Sequence, residues 1–320
     1  MQVIQDAQRS ADLPYGVVCT IGNYDGLHRG QMKVIRRVVE RARERGSKSV
    51  VITFEPHPVS VLRPELAPPL LTLDSQRHRL LEEVGLDALL IVEFDREFAQ
   101  TEPEVFVRQF LHRSLAVEEV YVGSEFAFGK DRRGDVGLLT GLGQELGFEV
   151  HGIEEELYRG QVISSTRIRR AVDEGKVEEA LDMLGRPYAL FGKVVRGDQM
   201  GMRLGWPTIN LAPENEHLPA DGVYCGQVRF AELPGVFDCV SNVGTRPTVY
   251  ENYQRVVESH ILGFGADVYG EMVEVGFFKR LRDEQLFPSV MDLSAQIGRD
   301  VEATREFFAA RRRLQEGIGG

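Results

Sequence analysis

A histidine and three glycines stand where a strand gives way to a helix, an arrangement suited to binding a phosphate. The segment 22–31 follows an apolar, β-branched run and precedes a helical pattern of apolar residues. Such a turn brings backbone N–H groups and the positive end of a helix dipole to one point. His28, at the helix entrance, could stabilise charge that develops on a phosphoryl group. The spacing fits neither the GxxxxGKS/T nor the GxGxxG pattern, so a tight surface loop is the alternative for this turn taken alone.

Two further groups of polar residues fit the same chemistry. His57 lies in a loop after the second predicted strand, between two prolines. Alone it is more simply a packed loop residue, but on the same sheet edge as His28 it becomes a candidate ligand. Ser164, Ser165 and Thr166 precede a helix that carries Arg169. These hydroxyl residues could cap the helix, hold a phosphate, or do both.

A second candidate site lies in the other half of the chain. Three glycines recur there every four residues and are followed by a Pro-Thr-Ile-Asn run; the set is Gly197, Gly201, Gly205, Pro207, Thr208 and Asn210. Such a loop can bend closely round a phosphate chain. Thr208 and Asn210 offer the hard oxygen ligands that suit Mg²⁺, and residues two apart on a strand face the same way.

One carboxylate interrupts a later apolar run. Glu258 is either a residue of a solvent-facing strand surface, the commoner case, or a general base that takes a proton from an attacking hydroxyl. Arg246 and Arg282 are candidate partners for an anion or a flat ring.

The predicted elements divide the chain in two. The first half alternates strands (17–21, 49–54, 88–94, 119–122 and 148–153) with helices (29–44, 75–84, 103–115 and 136–146). This rhythm predicts a doubly wound, Rossmann-like parallel sheet that binds ligands beyond its carboxyl edge. Short alternating strands follow (189–195, 223–230, 237–242, 256–261 and 272–278), then a helix over 291–314. They predict an antiparallel barrel with a closing helix, and domains spanning 1–185 and 186–320.

Composition narrows the class of protein. The 320 residues carry a net charge of −11, which argues against a nucleic-acid partner. We find no apolar span long enough for a membrane helix and no signal-peptide pattern, so no membrane partner is expected. The three cysteines are odd in number and far apart, which favours a reducing, cytoplasmic setting.

Taken in order, these motifs resemble those of the prokaryotic bifunctional riboflavin kinase / FMN adenylyltransferase family, the FAD synthetases, from about residue 16 to residue 314. The resemblance implies an enzyme that carries out two reactions with ATP and Mg²⁺. In the barrel, the riboflavin 5′-hydroxyl attacks the γ-phosphate of ATP and gives FMN. In the N-terminal domain, the FMN phosphate attacks the α-phosphate of a second ATP and gives FAD and pyrophosphate. Riboflavin, FMN and ATP would be the partners of a monomer or weak homo-oligomer.

The same resemblance assigns roles to residues. It makes Glu258, His28 and Asn210 catalytic and gives Thr208 and Asn210 to the metal. Flavin contacts fall to Glu125, Glu258 and Arg282. The glycine loop and its Pro-Thr-Ile-Asn run would bind ATP for the kinase step. ATP for adenylyl transfer would be held by Gly22, Asp25, His28, Gln31, His57, Ser164, Ser165, Thr166 and Arg169.

Some positions depart from the family's pattern. Gln31 replaces a usual histidine and cannot carry positive charge. Glu125 stands where the family tends to have Asn or Asp, and Met200 and Met202 replace two arginines. A riboflavin kinase with an impaired adenylyltransferase domain, and a non-enzymatic flavin- or nucleotide-binding regulator, are therefore the alternatives.

Overall fold

The computed structural model describes residues 1–5, 16–197, 200–246 and 254–318. Within those ranges no helix is both long enough and apolar enough to cross a lipid bilayer. The chain divides into two compact units, Met1–Ser164 and Ser165–Gly320. The domain boundary predicted at residues 185 and 186 stays a prediction, because compactness alone does not define the segment that each activity needs.

The first unit contains ten strands among the described residues: β1 (Gln2–Ile4), β2 (Val17–Ile21), β3 (Lys48–Glu55), β4 (Ala88–Glu93), β5 (Val117–Gly123), β6 (Ala127–Phe128), β7 (Gly134–Asp135), β8 (Glu149–Ile153), β9 (Leu157–Tyr158) and β10 (Gln161–Val162). Six of them form the parallel main sheet, in the spatial order β1-β4-β3-β2-β5-β8. Two short hairpins, β6–β7 and β9–β10, accompany it.

The helices of this unit follow from their apolar stripes. In α1 the buried residues recur at helical spacing, and Gly46 ends the helix in the left-handed conformation that favours glycine. The helices are α1 (Arg29–Arg45), α2 (Pro58–Leu62), α3 (Asp74–Glu83), α4 (Pro103–Val105, continued as a π-helix over Phe106–Ser114) and α5 (Val136–Leu146). The prediction for 103–115 missed the π-helical part, because a segment this short does not distinguish the two helical periods.

The sheet order confirms the predicted parallel, Rossmann-like architecture. The chain runs from β2 to β3 and β4 on one side and then returns to β5 on the other. The carboxyl ends of β2 and β5 therefore flank the switch point, where ligands bind in sheets of this kind. The edge strand β1 was not predicted, since three residues show no period.

The second unit is a closed antiparallel barrel with helices. Its strands are β11 (Tyr188–Val195), β12 (Ile209–Pro213), β13 (Gly222–Phe230), β14 (Phe237–Arg246), β15 (Gln254–Ile261) and β16 (Met272–Arg282), and their order around the barrel is β11-β12-β15-β14-β13-β16. The helices are α6 (Ser165–Asp173), α7 (Val177–Leu184), α8 (Met200–Arg203) and α9 (Val290–Ile318). The barrel and its closing helix are as predicted, except that β12 was not recognised as a sixth strand.

Helix α9 packs on the outer face of β13 and β14. Its buried Val301 lies in one apolar cluster with Val223 and Val240, and its buried Phe308 lies in another with Cys225 and Phe278. Nearer the start of the helix, Leu293 and Ile297 are only half-buried. Those last two residues lie at the end of α9 that borders the candidate kinase site.

Candidate active sites

His28 is the N-cap of α1, and its ring is largely buried. Its Nδ1 accepts a hydrogen bond from the Gln31 backbone N–H at 3.3 Å. Because Nδ1 accepts, the neutral ring carries its proton on Nε2, which is then a donor suited to a phosphate oxygen. Gly30 leaves room for this ring, since a Cβ there would lie 3.3 Å from two ring atoms.

Gln31 has a structural part in the same turn. Its Oε1 accepts the His28 backbone N–H at 3.2 Å, and its Nε2 donates to the Asn23 carbonyl at 3.0 Å. His28 and Gln31 therefore form a reciprocal capping box at the start of α1. The side chain that departs from the family pattern is thus one that holds the turn together.

Asp25 is buried inside the turn. Its Oδ1 accepts backbone N–H bonds from Leu71 at 2.9 Å and Thr72 at 3.2 Å, and the Thr72 hydroxyl accepts from Gly26 N–H at 2.9 Å. These contacts tie the turn to the segment that precedes α3. They give Asp25 a loop-holding role in this geometry, and its contact with ATP stays a prediction.

His57 repeats the arrangement of His28 on the neighbouring strand. It follows β3 as the N-cap of α2, and its Nδ1 accepts from Val59 N–H at 3.2 Å. Its neutral ring therefore also carries its proton on Nε2. Both histidines lie on loops at the carboxyl edge of the sheet, as predicted from their positions after β2 and β3.

A cavity of about 730 Å³ opens at this edge. Gly22 and Asn23 line it after β2, and the exposed Glu125 lines it after β5. Six aromatic rings complete its wall, and they come from strands, helical segments and loops: Phe54, Phe94, Phe98, Phe106, Phe126 and Phe128. The sequence motifs did not point to these rings, although Phe54 and Phe94 are the last residues of two predicted strands. Such a wall suits a flat aromatic ligand.

The hydroxyl segment falls at the junction of the two units. Ser164 is the last residue of the first unit, whereas Ser165, Thr166 and Arg169 belong to α6. Ile168, Ala171 and Val172 are buried and form the inner side of this helix. The hydroxyl residues therefore stand at a helix start, where either predicted role applies.

In the barrel, one row of paired residues crosses neighbouring strands. Asn210 on β12 pairs with Glu258 on β15, and Glu258 pairs with Asn242 on β14. Asn242 pairs with Val223, and Val223 pairs with Arg282. Because paired residues share a face of the sheet, these side chains extend to the same side. The register that aligns these residues across the strands could not be predicted from the sequence.

A second cavity, of about 250 Å³, lies between this face, α8 and the start of α9. Thr208, Glu258 and Arg282 line it, as do Gly201 and the indole of Trp206. The structure thus brings together several residues predicted for the kinase site. It adds Asn242, His260, Glu284 and Asp300, which the sequence analysis had not assigned.

Close packing explains two of the three glycines in the candidate nucleotide loop. A Cβ on Gly197 would overlap the amide of Asn210, and one on Gly201 would overlap the Trp206 carbonyl oxygen. Gly205 has a φ of +81°, which favours glycine. Residues 198 and 199 of this loop and the side chain of Arg246 lie outside the described part of the chain.

The donor set of the loop fits a magnesium ion. Thr208 and Asn210 are two residues apart, and Glu258 lies opposite Asn210 across the ladder. A hydroxyl, an amide oxygen and a carboxylate are the hard ligands that Mg²⁺ prefers. Gly197 leaves open the space beside the Asn210 amide that a side chain would fill.

Arg282 is held by a buried carboxylate. Its Nη2 and Nε donate to Asp300 Oδ2 of α9 at 2.8 and 3.1 Å, and its guanidinium lies 5.6 Å from the centre of the Phe287 ring. Asp300 is 5 % exposed. The pair fixes the guanidinium at the wall of the cavity and joins α9 to the end of β16.

Both halves of the chain match known family models. Residues 10–167 match the model described as FAD synthetase, and residues 184–308 match the one described as riboflavin kinase. A protein of Escherichia coli strain K12 named bifunctional riboflavin kinase/FMN adenylyltransferase is 38% identical over 312 residues, covering 96% of this chain and 98% of that one. Its namesake in Pseudomonas fluorescens is 35% identical over 311 residues, covering 97% and 98%.

A solved structure extends this similarity to the fold. A crystal structure described as a macrolide-efflux protein from Streptococcus pneumoniae superposes with a TM-score of 0.84 at 29% identity. The match covers 95% of this chain and 99% of that one. With two matched family models and relatives aligned along nearly their whole length, the chain belongs to the family of bifunctional riboflavin kinase/FMN adenylyltransferases.

Proposed function

We propose that this chain makes FAD in two steps, with the barrel cavity as the riboflavin kinase site and the turn after β2 as the adenylyltransferase site. The observation that carries the kinase assignment is the row that places Glu258 beside Asn210 and Asn242, with Glu258 and Asn242 in the wall of one cavity. A half-buried carboxylate there is placed to take the proton from an attacking hydroxyl.

In the kinase step, the residues of the barrel bind and orient. The loop 197–210 would follow the phosphates of ATP, and Glu258 would accept the proton of the riboflavin 5′-hydroxyl. Thr208 and Asn210 would hold Mg²⁺, which neutralises phosphate charge when bound. Arg282, fixed by Asp300, would line the flavin side of the cavity. Positioning and charge stabilisation account for such a transfer without a covalent enzyme intermediate.

In the adenylyl transfer, the groups at the sheet edge do the same work. The aromatic cavity would hold the flavin ring of FMN, with Glu125 at its rim. The Nε2–H groups of His28 and His57 would donate to the ATP phosphates. Gly22 and Asp25 would shape the turn around the nucleotide, while Ser164, Ser165, Thr166 and Arg169 would help to hold the triphosphate.

We infer a cytoplasmic location, because Cys19, Cys225 and Cys239 are all unpaired and buried. Burial raises the pKa of the Cys239 thiol to about 12, so this thiol stays protonated and unreactive. Riboflavin, FMN and ATP are the proposed partners, and a monomer or weak homo-oligomer is the proposed state.

A product assay tests both reactions together. Purified protein is mixed with riboflavin, ATP and Mg²⁺, and the flavins are separated over time, with a parallel reaction that starts from FMN. We expect FMN and then FAD. FMN that accumulates without FAD in both reactions would instead indicate a kinase with an impaired adenylyltransferase site, and no product at all would indicate a binding protein.

The variant Glu258→Gln tests the assignment of the base. It keeps the shape of the side chain but removes the proton acceptor, so we expect FMN formation to fall by about 10²–10⁴-fold. Conversion of supplied FMN to FAD should persist, and an unchanged unfolding transition of Trp206 fluorescence checks that the barrel is folded. Glu232→Gln, in the exposed turn between β13 and β14, is the matched control. Kinase activity near the wild-type level in Glu258→Gln would contradict the assignment.

A further inference from the structure

The barrel cavity is lined by Glu258, by Asp300, which holds Arg282, and by a third carboxylate, Glu284, that the proposed reaction does not use. Glu284 lies just beyond β16, in the segment that leads to α9. The Asn242 side-chain Nδ2 donates to Glu284 Oε1 at 3.1 Å. Asn242 in turn is the register partner of Glu258. Asn242 therefore stands between Glu284, which it contacts, and Glu258, the proposed base.

A glycine makes room for this carboxylate. On β14, two residues after Asn242, stands Gly244, and a Cβ built on it would overlap Glu284 Oε1. The φ of Gly244 is not in the left-handed region, so its backbone does not require glycine. The absence of a side chain at this position thus serves the approach of Glu284 to Asn242.

The contact determines how the Asn242 amide is turned. An ionised carboxylate only accepts hydrogen bonds, so the amide must present its NH₂ group to Glu284. Its Oδ1 then points the other way, as an acceptor. An asparagine without such a partner could present either group, and the two orientations recognise opposite hydrogen-bonding partners.

We propose that Glu284 is a positioning residue of the kinase site: through Asn242 it presents an amide oxygen that accepts a hydrogen bond from a hydroxyl of the polyol chain of the substrate. The inference rests on the proposed placement of riboflavin in this cavity. A polyol carries several donors of this kind, and one held by Asn242 would keep the chain in register with Glu258. The expected effect falls on binding of the flavin and not on binding of ATP.

Two variants remove the same contact by different routes. Glu284→Ala deletes the carboxylate, and Gly244→Ala displaces it with a methyl group while leaving the Glu284 residue in place. We expect each to raise the KM for riboflavin about fivefold, the effect of one hydrogen bond, with the KM for ATP unchanged. Because both act on one contact, the double variant should be no worse than Glu284→Ala alone.

The matched control is Asp283→Asn. It removes the neighbouring carboxylate, which pairs with Arg280 at 3.0 Å, and should leave both KM values unchanged. Conversion of supplied FMN to FAD checks the first unit, and an unchanged unfolding transition of Trp206 fluorescence checks that the barrel of each variant is folded. A normal KM for riboflavin in Glu284→Ala, an equal rise in the KM for ATP, or additive effects in the double variant would overturn the inference. If Glu258→Gln also kept its kinase activity, the placement of riboflavin in this cavity would fail as well.

Discussion

The two units build their candidate sites in opposite ways. In the parallel-sheet unit, His28 and His57 lie on loops, and each ring caps the helix that follows it. In the barrel, Asn210, Glu258 and Asn242 lie on strands, and ladder hydrogen bonds hold their backbone whatever the side chain is. A loop residue thus combines a structural and a chemical role in one side chain, whereas a strand residue leaves the structural role to its backbone.

This difference predicts how substitutions behave. In the barrel, a change at Glu258 should alter chemistry with little change in stability. At the sheet edge, a change at His28 or Gln31 that removes a capping atom should alter both, because the capping box depends on both side chains. Variants of His28 and Gln31 test that contrast, and a variant of Glu119 tests what a buried strand residue contributes to stability.

The largest effect is expected at His28. Asparagine is a good N-cap, so His28→Asn should keep α1 stable while removing the Nε2–H donor. We expect adenylyl transfer to fall by about 10²–10³-fold, as for the loss of one preorganised donor, with kinase activity unchanged. The measurement is FAD formed from supplied FMN, together with the thermal unfolding midpoint.

His28→Ala is the companion variant, since it removes the donor and the cap together. It should lose as much adenylyl transfer as His28→Asn and in addition about 1 kcal/mol of stability. Near-normal FAD formation in His28→Asn would mean that the histidine only caps the helix. His28 would then have a structural role only, and the proposed contrast between loop and strand sites would fail.

Contiguous motifs were predictable from the sequence, and alignments between strands were not. The bounds of Val17–Ile21 and Val136–Leu146 match their predictions because each is a regular apolar pattern between clear end signals. The row that joins Glu258 to Asn242 depends on barrel register, which the sequence does not state. Glu284 was missed because its partner Asn242 is 42 residues away. The aromatic cavity was missed because its rings come from separate loops.

A buried carboxylate gives the second prediction, which concerns stability. Glu119 on β5 is fully buried and bonds to Arg41 at 2.8 Å, Arg45 at 2.9 Å and the Tyr121 hydroxyl at 2.8 Å. Burial by itself would raise the pKa of Glu119, but the hydrogen bonds from Arg41 and Tyr121 and the charges of Arg41 and Arg45 hold it at about 2. Since this pKa lies below its unfolded value, the carboxylate stabilises the fold at neutral pH.

Glu119→Gln should therefore lower the free energy of unfolding of the first unit by about 2–3 kcal/mol at pH 7. The contribution is fully present above the unfolded pKa of about 4.5 and is lost as the pH falls toward 2. The difference between wild type and variant should shrink over that window. Circular dichroism during urea unfolding measures it, while Trp206, the one tryptophan in the sequence, reports the barrel. A shift of the Trp206 transition equal to that seen by circular dichroism would contradict the assignment to one unit.

Glu118→Gln is the matched control for this measurement. Glu118 precedes Glu119 and pairs with Arg45 at 3.2 Å, but its side chain is 37% exposed. Exposed pairs contribute about 0–1 kcal/mol, so the control should change stability little. A loss equal to that of Glu119→Gln would mean that burial is not what makes the Glu119 cluster important.

The smallest effect, and the sharpest test of a residue with two roles, is expected at Gln31. Gln31→His restores a side chain that can carry positive charge near the phosphates, and we expect about a tenfold rise in adenylyl transfer. A charged imidazole only donates, so it cannot accept the His28 N–H as Gln31 does, and stability should fall by about 1 kcal/mol. Gln31→Glu keeps the acceptor for the His28 N–H and adds negative charge, but it loses the donor to the Asn23 carbonyl. It should therefore lower adenylyl transfer, while the favourable interaction of its charge with the start of α1 offsets part of the lost hydrogen bond. Faster FAD formation with lower stability in Gln31→His, together with slower FAD formation in Gln31→Glu, would establish that Gln31 serves both the nucleotide and the helix. Unchanged FAD formation in both variants would mean that Gln31 acts on the helix alone.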